Sequence, residues 1–236
     1  MENLTKDEVI IQDEGQQSKK MQRRSFLRYA GVGAAGVGVL AVAACKKNYD
    51  NSTPGYAAPI DVGSGDIGVL NYAYALEQLE AAFYIQVIKT PYAGMTPAEL
   101  SALTDIRDHE VLHREFLKAA LGSMAIVALT PDFSSINFSD RASVLGAAKA
   151  FEDTGVTAYN GAGYLLTNPT YLTLAGKIVS VEARHASFIR DLLSYGSFAD
   201  TTILDANALD QQKKPSQVLV IANTYLTTKI TATQLP

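Results

Sequence analysis

The chain has 236 residues, 47% apolar and 19% charged, which excludes an intrinsically disordered protein and leaves room for one domain or two small ones. A formal charge of −4 without a long Lys/Arg block excludes nucleic acid as an expected partner. One Cys excludes a disulfide framework and a cysteine-based zinc site, while 12 Tyr and 8 Phe supply an aromatic core in the absence of Trp.

Residues 1–20 are polar and of mixed charge, and an apolar run rich in Gly, Ala and Val follows from Tyr29 to Ala44. The run is shorter than the roughly 20 residues of a spanning helix, and a basic flank before it is the layout of an export leader. Arg23-Arg24-Ser25-Phe26-Leu27 resembles a twin-arginine signal, the type that carries folded proteins. The run closes on Leu40-Ala41-Val42-Ala43-Ala44-Cys45, which resembles a bacterial lipobox, although Val42 stands where Leu is preferred. Two expectations follow: lipidation of Cys45, with a membrane-anchored protein in the periplasm or cell envelope, or cleavage near Ala43-Ala44. Residues 46–65 hold Gly, Pro, Ser and Asn and read as a flexible tether.

From Asp66 to Lys89 there is no Pro, and Leu70, Ala73, Tyr74, Glu77, Ala81, Tyr84 and Ile88 recur at helical spacing, with Asp66 as the expected cap. Thr96-Pro97-Ala98-Glu99 is a capping box with Pro at the first helical position, and it opens a second helix over 96–121 that stops near Gly122. Residues 123–138 lack a long period and read as a crossover. Ser139 or Asp140 caps a third helix over 140–166, and Thr167-Asn168-Pro169 opens a fourth over 169–195. Residues 197–214 are loop-like, a short helix is expected over 216–226, and 227–236 form a tail. Links that run short, long, short predict an all-α four-helix bundle with one long crossover between its second and third helices, plus a short C-terminal helix.

The stripes that should be apolar are interrupted by one residue type. Glu77 lies in the first helix, Glu110 and His113 in the second, Glu152 in the third, Glu182 and His185 in the fourth. An unpaired buried carboxylate costs several kcal/mol, so four of them require positive charge nearby. Two divalent ions would supply it, and Glu and His three residues apart share one helix face and can bind one ion together. The halves echo one another. Glu77 and Tyr84 have the spacing of Glu152 and Tyr159, and Glu110, His113 and Phe116 have that of Glu182, His185 and Phe188. A duplicated helical hairpin would set two similar metal positions side by side. Arg184 is the base that could pair with the acids if there were no metal. His109 is expected at the surface, and Tyr84 and Tyr159 as core aromatics whose hydroxyls find a partner, a carboxylate among the options.

The segments LEQLEAAFY (76–84), HEVLHREFL (109–117), FEDTGVTAY (151–159) and VEARHASFI (181–189) resemble the ferritin-like superfamily of di-iron and di-manganese carboxylate proteins. Within it the chain is similar to bacterial exported ferritin-like domain proteins related to plant desiccation-associated proteins, over residues 66–226. The resemblance implies a metal site of Glu77, Glu110, His113, Glu152, Glu182 and His185, with Glu80 able to replace or join Glu77. It implies two Fe or Mn ions, and Fe(II) oxidation or reaction with O2 or peroxide. It does not imply a storage shell. The alternative is a non-enzymatic, stress-protective or structural bundle lipoprotein with no catalytic metal. Substrate and oligomeric state stay open, a dimer being one option.

Overall fold

A computed structural model describes residues 58–236. The expectations placed on Arg23, Arg24 and Cys45, and on most of the tether, lie outside these residues. Among the described residues five α-helices are formed: α1 (Gly65–Lys89), α2 (Pro97–Leu121), α3 (Arg141–Ala162), α4 (Pro169–Leu193) and α5 (Pro215–Ala222). Among the described residues no helix is long and apolar enough to cross a membrane.

Local chemistry sets most of the helix starts. Thr96 Oγ1 accepts from Glu99 N at 3.2 Å, and the Glu99 carboxylate returns to Thr96 N at 2.9 Å, completing the expected box. Asp140 caps α3 through Ser143 N, and Asn168 caps α4 through Thr170 N ahead of Pro169. The start of α1 departs from expectation. Ser64 occupies the cap position, and the Asp66 carboxylate instead accepts from the backbone of Thr167 and Asn168 at 2.7 and 2.9 Å. It ties the start of α1 to the start of α4. The expected third and fifth helices end early, each in a short 3-10 turn, over Gly163–Leu165 and Asn223–Tyr225.

α1 packs along α2, α3 packs along α4, and α1 meets α3 in the middle. The crossover pairs with the C-terminal segment only at the Pro131–Leu226 bridge, and side chains of α1 satisfy further backbone groups. Asn71 donates to Val62 O and Met124 O and accepts from Ile126 N, while Gln78 accepts from Leu129 N at 2.8 Å. Phe83 of α1 gathers Phe133 and Phe138 of the crossover and Phe151 of α3, with ring centroids 4.9–5.9 Å away. α5 and the loop before it cover the far side of α3. There Gly161 lets Lys213 O come within 1.9 Å of where a Cβ would stand. Arg190, 2% exposed, fastens the same loop by binding Asp153 of α3 together with Asp200 and Thr202.

Parts of the expected tether and tail join the fold. β1 (Ile60–Asp61) pairs in parallel with β2 (Ile230–Thr231), and Val62, Ile230 and Leu235 are buried. Apolar burial accounts for this ordering in segments whose composition is loop-like.

Candidate metal centre

Each long helix delivers acid to the same place. Glu77 of α1, Glu110 of α2, Glu152 of α3 and Glu182 of α4 are all 0% exposed. The i, i+3 spacing turns His113 and His185 toward the same centre as Glu110 and Glu182. The six side chains form two overlapping quartets, in each of which the ligand atoms lie within 4.8 Å of one another. One quartet is Glu77, Glu110, His113 and Glu182; the other is Glu110, Glu152, Glu182 and His185. Glu110 and Glu182 belong to both, so a shared pair of carboxylates is closed at each end by one Glu and one His.

The contacts inside the cluster are close without being hydrogen bonds. His185 Nδ1 is 2.8 Å from Glu110 Oε1, and His113 Nδ1 is 2.9 Å from Glu182 Oε1. Both Nδ1 atoms, both oxygens of Glu110 and of Glu182, and Oε2 of Glu77 and of Glu152 are buried with no hydrogen-bond partner. Lone-pair atoms aimed at one another's space make a donor set for cations, and a mixed carboxylate and imidazole set suits Fe or Mn. The residues therefore fit a pair of divalent ions. The remaining oxygens of the end carboxylates are held by tyrosines exchanged between hairpins. Tyr84 of α1 donates to Glu152 Oε1, and Tyr159 of α3 donates to Glu77 Oε1, both at 2.5 Å. Of the options open to these tyrosines, the carboxylate is the partner found.

Electrostatics agree with a shortage of positive charge. Burial, then neighbouring carboxylates, raise Glu80 and Glu182 well above the usual range. Burial lifts Glu77 to about 7 and also raises Glu152. Burial pushes against Glu110 too, but His113 and His185 outweigh it and bring that group down to about 2. His185 is raised to about 10 by Glu110 and Glu152 despite its burial, and His113 is raised as well. Arg184 is exposed, and among the described residues no Lys or Arg forms an ion pair with the four quartet glutamates.

Two glutamates of α1 and one histidine of α2 take distinct places around the quartets. On α1 it is Glu77, and not Glu80, whose ligand atom falls in a quartet. Glu80 is 4% exposed and fills the space beside Gly155: a Cβ there would stand 3.1 Å from Glu80 Oε1 and 3.3 Å from Glu182 Oε2. The register that matches Glu77 with Glu152 and Tyr84 with Tyr159 also matches Glu80 with Gly155, a signal present in the sequence. His109 stays at the surface as expected, yet it also reaches inward. Its ring lies parallel to that of His185, 7° apart, with Nδ1 2.9 Å from His185 Nε2. Burial and the neighbouring His185 hold His109 below its ordinary range.

A search among curated proteins finds no match. A family model described as a ferritin-like domain matches residues 65–195, a span that takes in α1 through α4 and every residue of both quartets. More than half of the chain lies within that match, and the protein belongs to the ferritin-like domain family.

Proposed function

We propose that this chain is a dinuclear Fe or Mn protein of the cell envelope that oxidises Fe(II) or reacts with O2 or peroxide. The observation that carries the reading is the pair of buried quartets sharing Glu110 and Glu182. When bound, two such ions supply paired one-electron chemistry and a Lewis-acid surface. Glu77, Glu110, His113 and Glu182 would hold one ion, and Glu110, Glu152, Glu182 and His185 the other. Tyr84 and Tyr159 orient the end carboxylates, and burial raises both hydroxyls, so they remain donors at neutral pH. Glu80, raised well above the usual carboxylate range by burial and then by Glu182, stands at the edge of the site. The aromatic core around Phe83 keeps water from that side. An apolar pocket of about 30 Å³ is lined by Leu70, Ala73, Phe116, Leu117, Tyr159 and Ile178. Such a lining favours a small apolar oxidant such as O2 over water or peroxide.

Arg23-Arg24 and Cys45 support export by the twin-arginine route and a lipid anchor, which would allow metal loading before translocation. A relation to the desiccation-associated proteins rests on the four quoted segments. The test of the central reading is anaerobic loading of the metal-free chain with Fe(II), followed by metal analysis and then admission of air. Two Fe per chain and faster Fe(II) oxidation than in buffer are expected. Fewer than one ion per chain, for both Fe(II) and Mn(II), would sink the reading and leave a structural bundle.

A further inference from the structure

The two ends of the centre match in the residues that face it but not in those behind. Glu77 and His113 close one end, Glu152 and His185 the other, and each end carboxylate has a tyrosine behind it. The imidazoles are not backed alike. His185 presents Nδ1 to the centre and Nε2 to His109 Nδ1 at 2.9 Å, with the two rings stacked. His113 also presents Nδ1 to the centre, but among the described residues no hydrogen bond reaches its Nε2. The duplicated register gives the reason. Matching Glu110 with Glu182 and His113 with His185 matches His109 with Val181, and Val has neither donor nor acceptor in its side chain.

A hydrogen bond to the outer nitrogen fixes which ring nitrogen carries the proton and sets the ring plane. For a metal-binding imidazole, loss of such a partner lowers affinity about 10–100-fold. In the tautomer in which Nε2–H of His185 donates to His109 Nδ1, Nδ1 of His185 is the nitrogen left to hold an ion at the centre. His113 must select the same tautomer without that support. Glu80, the other break in the duplication, belongs to neither quartet and so adds a ligand atom to neither end.

We infer that the two metal positions are unequal: the Glu152/His185 end fills first and holds its ion, and the Glu77/His113 end fills second and exchanges. His109 is the positioning residue that creates the difference. The inference rests on the dinuclear reading and adds an order of occupation to it.

Co(II) titration of the purified full chain tests it, followed by calorimetry and by the visible absorption of bound Co(II). Two binding steps are expected, separated about 10–100-fold in affinity. His109→Phe keeps a ring but removes the acceptor, and it should weaken the tighter step until the two merge. His109→Gln, whose Oε1 can accept from Nε2–H, should restore the separation and the wild-type spectrum. Val181→His should tighten the weaker step. Repulsion between two ions would also separate the steps, but that separation would survive His109→Phe, and such survival overturns the inference. Two equal steps in the unaltered chain overturn it as well while leaving the dinuclear reading intact. Absence of Co(II) binding in every variant overturns both.

Discussion

The inner helices α1 and α3 and the outer helices α2 and α4 bring the same acids to one centre in opposite surroundings. α1 is buried on nearly every side, 17 of its 25 residues, and α3 is buried over most of its second half. α2 and α4 each bury only six residues, in a single stripe that includes Glu110 on one and Glu182 with His185 on the other. The inner pair supplies one quartet carboxylate per helix and a tyrosine for the opposite hairpin. The outer pair supplies Glu-x-x-His and, through His109, a path of contacts to the surface. The inner helices enclose the site, and the outer ones carry its part-buried His113 and the exposed His109 beside it.

The largest expected effect contrasts packing on the two kinds of helix. Phe83 of α1 is 0% exposed and Leu112 of α2 is 65% exposed. Phe83→Ala should destabilise the chain by about 3–5 kcal/mol through the cavity it leaves, as measured by urea unfolding. Leu112→Ala should stay within about 0.5 kcal/mol. Similar losses at the two positions would end the distinction between inner and outer helices.

Next comes the pH dependence of the metal-free chain. Glu77 ionises at about 7 in place of 4.5, and Glu80, Glu152 and Glu182 are raised too. Each binds its proton more tightly when folded, so its stabilisation is full below about 4.5 and declines as pH rises through the folded value. His185, moved from 6.5 to about 10, acts in the same sense, with stabilisation full below 6.5 and lost as pH rises through 10. Glu110, moved from 4.5 down to about 2, works the other way and loses its contribution only as pH falls toward 2. Melting in EDTA should therefore occur at a lower temperature at pH 8 than at pH 5. Excess Mn(II) should remove or reverse that slope, because ions that bind only the folded site favour the ionised acids. A melting temperature that climbs from pH 5 to pH 8 in EDTA would contradict the burial of acid by the inner helices.

The smallest effect compares two glycines of α3. Gly146 is exposed with nothing within 4 Å of a Cβ, and Gly155 faces Glu80 and Glu182. Gly146→Ala should stabilise the helix by about 0.5–1 kcal/mol. Gly155→Ala should forfeit that gain by displacing both carboxylates, a difference of about 1 kcal/mol in thermal or urea unfolding. Equal gains at both positions would show that Glu80 is loosely held.

The helices were legible because their caps are local: Thr96 and Glu99, Asp140, and Asn168 with Pro169 each act within three residues. Asp66 misleads for the converse reason, since its partners lie about a hundred residues away. The quartet residues were legible because an acid interrupting an apolar stripe has few physical excuses. The spacing shared by Glu77 and Tyr84 with Glu152 and Tyr159 favours Glu77 over Glu80 from sequence alone, while the buried place of Glu80 beside Gly155 needs the third dimension. The contact of His109 with His185 crosses between α2 and α4, 76 residues apart, and leaves no local trace. The β1–β2 pair escapes periodicity because each strand has two residues.

That short ladder also decides how the molecule would carry a pull. Ile60 N donates to Lys229 O and Val62 N to Thr231 O, each at 2.9 Å, so the two ends of the described chain are clamped side by side. Tension entering at residue 58 would pass into the C-terminal segment through these two bonds before reaching any helix. The clamp is a strain relief, and it would insulate the carboxylate cluster mechanically from a load on the preceding residues.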